Sequence, residues 1–164
     1  MNVHVPAVVD CLVLIGAANF APLLARRWLG ARYAWPLDGG LTWRDGRPLL
    51  GHSKTWRGVI AAVVICVPVA MLLSLPWYSG MLAALAAMTG DCLSSFLKRR
   101  RGLAPSSQAL GLDQLPEAIL PALVLRAWLP LGAPEILLVG GLFFVGELLA
   151  SRVLFALGLR DRPY

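Results

Sequence analysis

Charge, histidine and cysteine are all scarce in this chain. Only 15% of its 164 residues are charged, and it has nine acids, two histidines and three cysteines. An average soluble domain is about 25% charged. Cys11, Cys66 and Cys92 lie far apart in apolar segments without metal-ligand spacing. They imply neither a disulfide framework nor a thiolate metal site, and read as small buried hydrophobes. The N-terminus lacks the basic region and small-residue cleavage site of a signal peptide, so the first apolar run is expected to be retained. Aromatic and basic residues are not interleaved as in RNA-binding surfaces. The net charge of +6 therefore does not argue for nucleic acid. No internal repeat or low-complexity segment is present.

What the chain has instead is apolar sequence in long runs. It is 58% hydrophobic, against about 45–50% in soluble domains. A spanning helix needs about 20 mostly apolar residues, with shorter spans tolerated. Five candidates fit, at 5–25, 59–75, 79–97, 117–129 and 135–157. The fourth is short and is interrupted by Pro121 and Arg126. The expected fold is an all-α membrane protein of about five transmembrane helices with two functional cytoplasmic loops, forming a single integral-membrane domain over residues 1–164.

Charge asymmetry orients these spans. Arg26, Arg27, Arg32, Arg44, Arg47, Lys54 and Arg57 lie between the first and second, and Lys98, Arg99, Arg100 and Arg101 between the third and fourth. Arg152 lies near the end of the fifth, and Arg160 and Arg162 follow it. The other two loops carry no Lys or Arg. By the positive-inside rule the basic loops are cytoplasmic, with the N-terminus outside and the C-terminus inside.

The chain is organised around residues 89–117, TGDCLSSFLKRRRGLAPSSQALGLDQLPE. Asp91 stands inside an apolar run, where a carboxylate costs about 2.5–3.5 kcal/mol on insertion scales. If 83–97 is helical, Asp91, Ser94, Ser95 and Lys98 share one face, being spaced by three, four and seven. An acid, two hydroxyls and a base directed to one place suit a metal and a phosphorylated ligand. The loop element Gly51-His52-Ser53-Lys54-Thr55-Trp56-Arg57-Gly58 combines glycine, hydroxyls and cations as phosphate-binding loops do, without Walker A spacing. As mere topology anchors, Lys54 and Arg57 would serve equally well. Trp28, Tyr33, Trp35, Trp43 and Trp56 argue that the long first loop is an ordered interfacial or substrate-facing layer. Asn19 and Pro22 read first as a helix kink with an interhelical hydrogen bond. Asp10 reads as interfacial, and Glu147 as a structural partner of Arg152, with contact to a lipid headgroup as the alternative.

Taken together, these elements resemble the CDP-archaeol synthase family, relatives of CDP-diacylglycerol synthase (phosphatidate cytidylyltransferase). The resemblance rests on Asn19-Phe20-Ala21-Pro22, Pro36-Leu37-Asp38-Gly39-Gly40, the Gly51 to Gly58 element, Gly90-Asp91 with Ser95, Phe96, Lys98 and Arg99, and Leu112-Asp113-Gln114-Leu115. One departure is informative. The family pattern reads Asp-Gln-Leu-Asp, whereas Pro116 stands here in place of the second acid and Glu117 follows. Glu117 taking over a ligand role and an altered lipid specificity both remain open.

The resemblance implies CTP-dependent cytidylyl transfer to a lipid phosphate with release of pyrophosphate. It implies Mg²⁺ held by Asp91, Asp113 and Glu117, and catalytic roles for Asp91, Lys98 and Asp113. It assigns substrate binding to Asn19, Asp38, Lys54, Thr55, Arg57, Ser95, Arg99 and Gln114. The implied partners are CTP, a lipid phosphate and membrane lipids, with a homodimer as one form open to the chain. A lipid phosphate has a second pKa of about 6, so no general base is required and neither His4 nor His52 need be one. A small transporter with Asp91 and Asn19 on a polar path, and a non-catalytic lipid-binding protein, are the alternatives.

Overall fold

The computed structural model describes residues 3–104, 107 and 109–158. Arg160 and Arg162, which contribute to the charge asymmetry, lie outside the described residues. The chain forms five helices: α1 (Val5–Leu29), α2 (Trp56–Leu72), α3 (Trp77–Arg100), α4 (Gln114–Leu125) and α5 (Ala133–Ala156). Among the described residues the only β pairing consists of two isolated bridges, Pro36 to Thr55 and Thr42 to Pro48. The all-α expectation holds.

The helix α1 is the hub, packing against α2, α3, α4 and α5. Its buried stripe runs through Ala7, Cys11, Leu14, Ala18, Ala21 and Ala25, at the three-to-four residue spacing of one helix face. The facing helices answer with small residues, among them Ala62, Ala70, Ala84, Ala87, Ala118 and Ala122. In lipid there is little hydrophobic drive between helices, so close backbone approach made possible by small side chains supplies the packing. At Gly80 the backbones come close enough that an added Cβ would stand 2.2 Å from the Cys66 carbonyl oxygen of α2.

Three helices, α1, α3 and α5, are long and apolar enough to cross a membrane. The chain is an integral membrane protein. The helices α2 and α4 are shorter, at 17 and 12 residues. At 1.5 Å per residue α4 is about 18 Å long and falls short of a bilayer's hydrocarbon core. It starts at Gln114 rather than near residue 117, and ends at Leu125 where the sequence suggests 129. Pro116 sits in its first turn, where a missing N–H costs no intrahelical bond. Beyond its other end Trp128 packs edge-on against Tyr78 of α3, with ring centroids 5.6 Å apart. The helix therefore begins part-way along α3, beside Gly90, and covers the half of α3 remote from the basic loops.

The kink region of α1 differs from expectation in one detail. The Asn19 amide donates to the Ile15 carbonyl of its own helix at 3.1 Å and makes no interhelical bond among the described residues. Pro22 instead meets α2, since a Cβ on Gly58 would lie 3.3 Å from its ring.

Candidate functional site

The site lies where the long loop, α3 and the start of α4 converge. Gly90 lets the α4 backbone close on α3, and the next residue along each strand of that contact is an acid: Asp91 on α3, Glu117 on α4. The Gly90 contact sets these two acids side by side where α3 meets α4. Lys54 reaches in from the loop and donates to an Asp91 carboxylate oxygen. Its backbone is held on both sides, by Lys54 N donating to Gly51 O at 3.2 Å and Leu37 N donating to Lys54 O at 2.8 Å. Burial alone would push the Lys54 ammonium below the usual lysine range, but Asp91, with Glu117 behind it, holds it above that range. An open cleft beside this ion pair is lined by Pro22, Ser53, Val59, Met88 and Cys92.

A second acid–base pair lies two turns further along the same face of α3. The Lys98 ammonium is 2.6 Å from Asp113 Oδ1 and donates to the Ser107 carbonyl at 3.1 Å. Asp113 also accepts from Ala109 N at 2.9 Å. Between the pairs, the Ser94 hydroxyl lies 2.9 Å from the Gly90 carbonyl and 2.6 Å from that of Leu112. Ser95 is buried beside it. Arg99 is buried too; its Nη2 donates to the Ala104 carbonyl at 2.9 Å, while its Nε has no hydrogen-bond partner among the described residues. The helical face foreseen in the sequence is thus real, and its cations and acids stand in alternation.

Other residues of the implied substrate-binding set have structural partners. Asp38 organises the long loop, accepting from Gly40 N at 3.0 Å, Leu50 N at 2.8 Å and Gly51 N at 3.1 Å. Burial works against its charge, but these N–H groups hold its carboxyl below the usual carboxylate range. Thr55 caps α2, its hydroxyl accepting from Gly58 N at 3.3 Å. Arg57 ties that cap to the end of α1 through the carbonyls of Gly30 and Arg32, at 2.8 and 2.7 Å. Gln114 accepts from Gly111 N at 2.9 Å. His52 is exposed and lines a separate cleft with Asp38 and Gly40.

Sequence reasoning missed the strap that fixes the loop to α3. Arg47 Nη1 donates to the Arg100 carbonyl at 3.0 Å, and Arg100 in turn pairs with Asp45. Trp43 packs edge-on against Phe96 at 5.5 Å, and the Arg100 guanidinium lies 5.1 Å from the same ring. The partners are some fifty residues apart in the chain, and no local spacing signals them.

A divalent cation suits part of the implied ligand set. Asp91 and Glu117 meet and offer hard carboxylate oxygens, the donor type that magnesium prefers. Asp113 is occupied with Lys98. Among the described residues no three His, Cys, Asp or Glu side chains cluster closely enough to make a complete protein cage. Magnesium normally keeps several waters and substrate phosphate oxygens and needs only one or two carboxylates, so the Asp91–Glu117 pair fits it.

A helical bundle with a half-buried acid–base centre at its basic end, beside a cationic loop, defines a class: an integral membrane protein with a charged site at one end of its helices. The profile of the family described as CarS-like, CDP-archaeol synthase, matches residues 28–78 and 74–164. The chain belongs to the CDP-archaeol synthase family. It is similar to the CDP-archaeol synthase of Thermofilum pendens, 34% identical over 154 residues that cover 90% of this chain and 75% of that protein. It is also similar to that of Pyrococcus furiosus, 42% identical over 89 residues and 48% of this chain, of which it spans about half, 53%. A solved structure described as an intramembrane enzyme for archaeal membrane lipids biosynthesis superposes with a TM-score of 0.68 at 27% identity, covering 88% of this chain and 94% of that one.

Proposed function

We propose that this protein is a CTP-dependent cytidylyltransferase that transfers CMP to a membrane lipid phosphate, forming a CDP-activated lipid and pyrophosphate. The observation that carries this reading is the half-buried Lys54–Asp91 ion pair with the buried Glu117 beside it, set near Lys98 and Arg99 at the basic end of an intramembrane bundle. Membership of the CDP-archaeol synthase family supports this reading. The basic loops would face the cytoplasm, where CTP is found, with the N-terminus outside.

The reaction joins a lipid phosphate oxygen to the α-phosphorus of CTP and breaks the bond to the β-phosphate oxygen, so pyrophosphate leaves. The nucleophile is already an anion at neutral pH, and the barrier lies in bringing two polyanions together. Lys54 and Arg99 would take phosphate charge, Arg99 through the Nε that has no acceptor among the described residues. Lys98, held by Asp113, would stand on the same face to meet the second phosphate group. A magnesium ion held by Asp91 and Glu117 would neutralise triphosphate oxygens and the leaving group. Asp38, Thr55 and Arg57 would contribute by shaping the loop that presents Lys54.

A transporter is disfavoured by the helix core beyond the site, where Cys11, Leu14, Ile15, Cys66, Leu125 and Val139 are fully buried and apolar. The test is to incubate purified protein with CTP, Mg²⁺ and a panel of ether- and ester-linked lipid phosphates. Pyrophosphate release that depends on both CTP and one of the lipids is expected, and its absence across the panel would refute the reading.

A further inference from the structure

Lys54 enters the site from the loop with its backbone pinned and its head on a carboxylate. Its N–H and carbonyl are both hydrogen-bonded within the loop, so a change of partner requires only rotation about the side chain. The cleft beside the pair, lined by Ser53, Val59 and Cys92, gives the ammonium somewhere to go. The carboxylate that it grips, Asp91, is also the one that the Gly90–Pro116 contact sets beside Glu117. An ammonium and a hard divalent cation seek the same oxygens, and two cations cannot share one close position without strong repulsion.

We propose that Lys54 is a displaceable counter-ion: it competes with the divalent cation for Asp91, and arrival of the cation drives the ammonium off the carboxylate toward the nucleotide phosphates. This rests on the reading that Asp91 and Glu117 hold the metal. The exchange couples the two binding events, because the ammonium becomes available to the triphosphate only when the cation has taken its place. Asp91 meanwhile never faces the low-dielectric interior without a positive partner, which would be costly.

Mn²⁺ alone, titrated against the full-length protein without nucleotide and followed by its free-ion EPR signal, tests the competition. Lys54→Met is expected to bind Mn²⁺ about tenfold more tightly than wild type, since a close charge competitor is removed. Lys54→Arg keeps a cation and should stay close to wild type. Unchanged or weaker binding in Lys54→Met would overturn the proposal. Asp91→Asn should lose Mn²⁺ binding; retention there would sink the metal reading itself, and so separates the two failures. Wild-type protein provides a second measurement, because Lys54 and Lys98 are the only lysines in the chain. Adding Mg²⁺ alone should raise the reactivity of Lys54 toward an amine reagent several-fold relative to Lys98, read by mass spectrometry. No rise would also overturn it.

Discussion

Gly90 of α3 lies so close to Pro116 of α4 that a Cβ on the glycine would stand 2.4 Å from the proline carbonyl oxygen. This backbone contact brings Glu117 to Asp91. It also gives a physical account of the departure from the family pattern at Pro116. An acid is missing at that position, but the proline occupies a first-turn site that needs no N–H, and the contact leaves the Glu117 carboxylate next to Asp91. Gly90→Ala should cost about 1–3 kcal/mol through overpacking and also impair turnover, since α4 must shift and take Glu117 with it. Gly80→Ala meets the Cys66 carbonyl at 2.2 Å, far from the site. It should lower Tm while leaving KM for CTP unchanged. Thermal melts and steady-state kinetics on both variants check the contrast.

Lys54 distinguishes a nucleotide ligand from a topology anchor. Lys54→Arg keeps the positive-inside signal and a cation beside Asp91, but a planar guanidinium does not present its charge to the triphosphate as a compact ammonium does. Insertion and orientation should persist while kcat/KM for CTP falls about ten- to a hundredfold, a loss typical of a mispositioned charge partner. Lys54→Ala should fall further. KM for the lipid phosphate should move little in either. Wild-type CTP kinetics in both would remove the loop from the site.

Asp91→Asn preserves size and removes charge. Turnover should be abolished in a protein that still inserts and folds. Thermal unfolding in detergent checks the second half; because Lys54 loses its ion-pair partner, Tm should fall modestly while the fold persists. Wild-type activity in this variant would make the carboxylate structural.

Asp38 predicts a pH dependence for the loop. Its folded pKa is depressed by three backbone N–H groups, so its contribution is present above the unfolded value of about 3.9 and is lost as pH falls through the folded value. Proteolysis within residues 38–51 should be slow at neutral pH and accelerate as the medium is acidified below about pH 4. Asp38→Asn should be cleaved readily at both ends of the range. Equal resistance of Asp38→Asn at neutral pH would show that the carboxylate does not hold the loop.

Orientation is checked by cysteine labelling in a background with Cys11, Cys66 and Cys92 replaced. Ser79 is fully buried and makes a poor probe, whereas Ser74 and Thr42 are exposed at opposite ends of the bundle. Ser74→Cys should react with an impermeant reagent in intact cells, and Thr42→Cys only after the membrane is opened. The reverse pattern would place the site on the side without CTP.

Much of this protein was legible in its sequence. Apolar runs and the distribution of arginine define a helical membrane protein because the bilayer is a severe filter, sorting segments by length and charge with little help from tertiary contacts. The shared face of Asp91, Ser95 and Lys98 was equally legible, since helical spacing is local. Tertiary structure decided the partners. Lys54 meets Asp91 across 37 positions and Arg100 meets Asp45 across 55, distances over which no periodicity operates. Asp38, Thr55, Arg57 and Gln114 belong to motifs that look like ligand-binding sets, and in the fold they satisfy backbone groups. A polar side chain's type says what it can bond, but only the folded chain determines which donor or acceptor arrives first. The same holds for α4: its composition permits a span, and the contact of Pro116 with Gly90 sets where along α3 it begins.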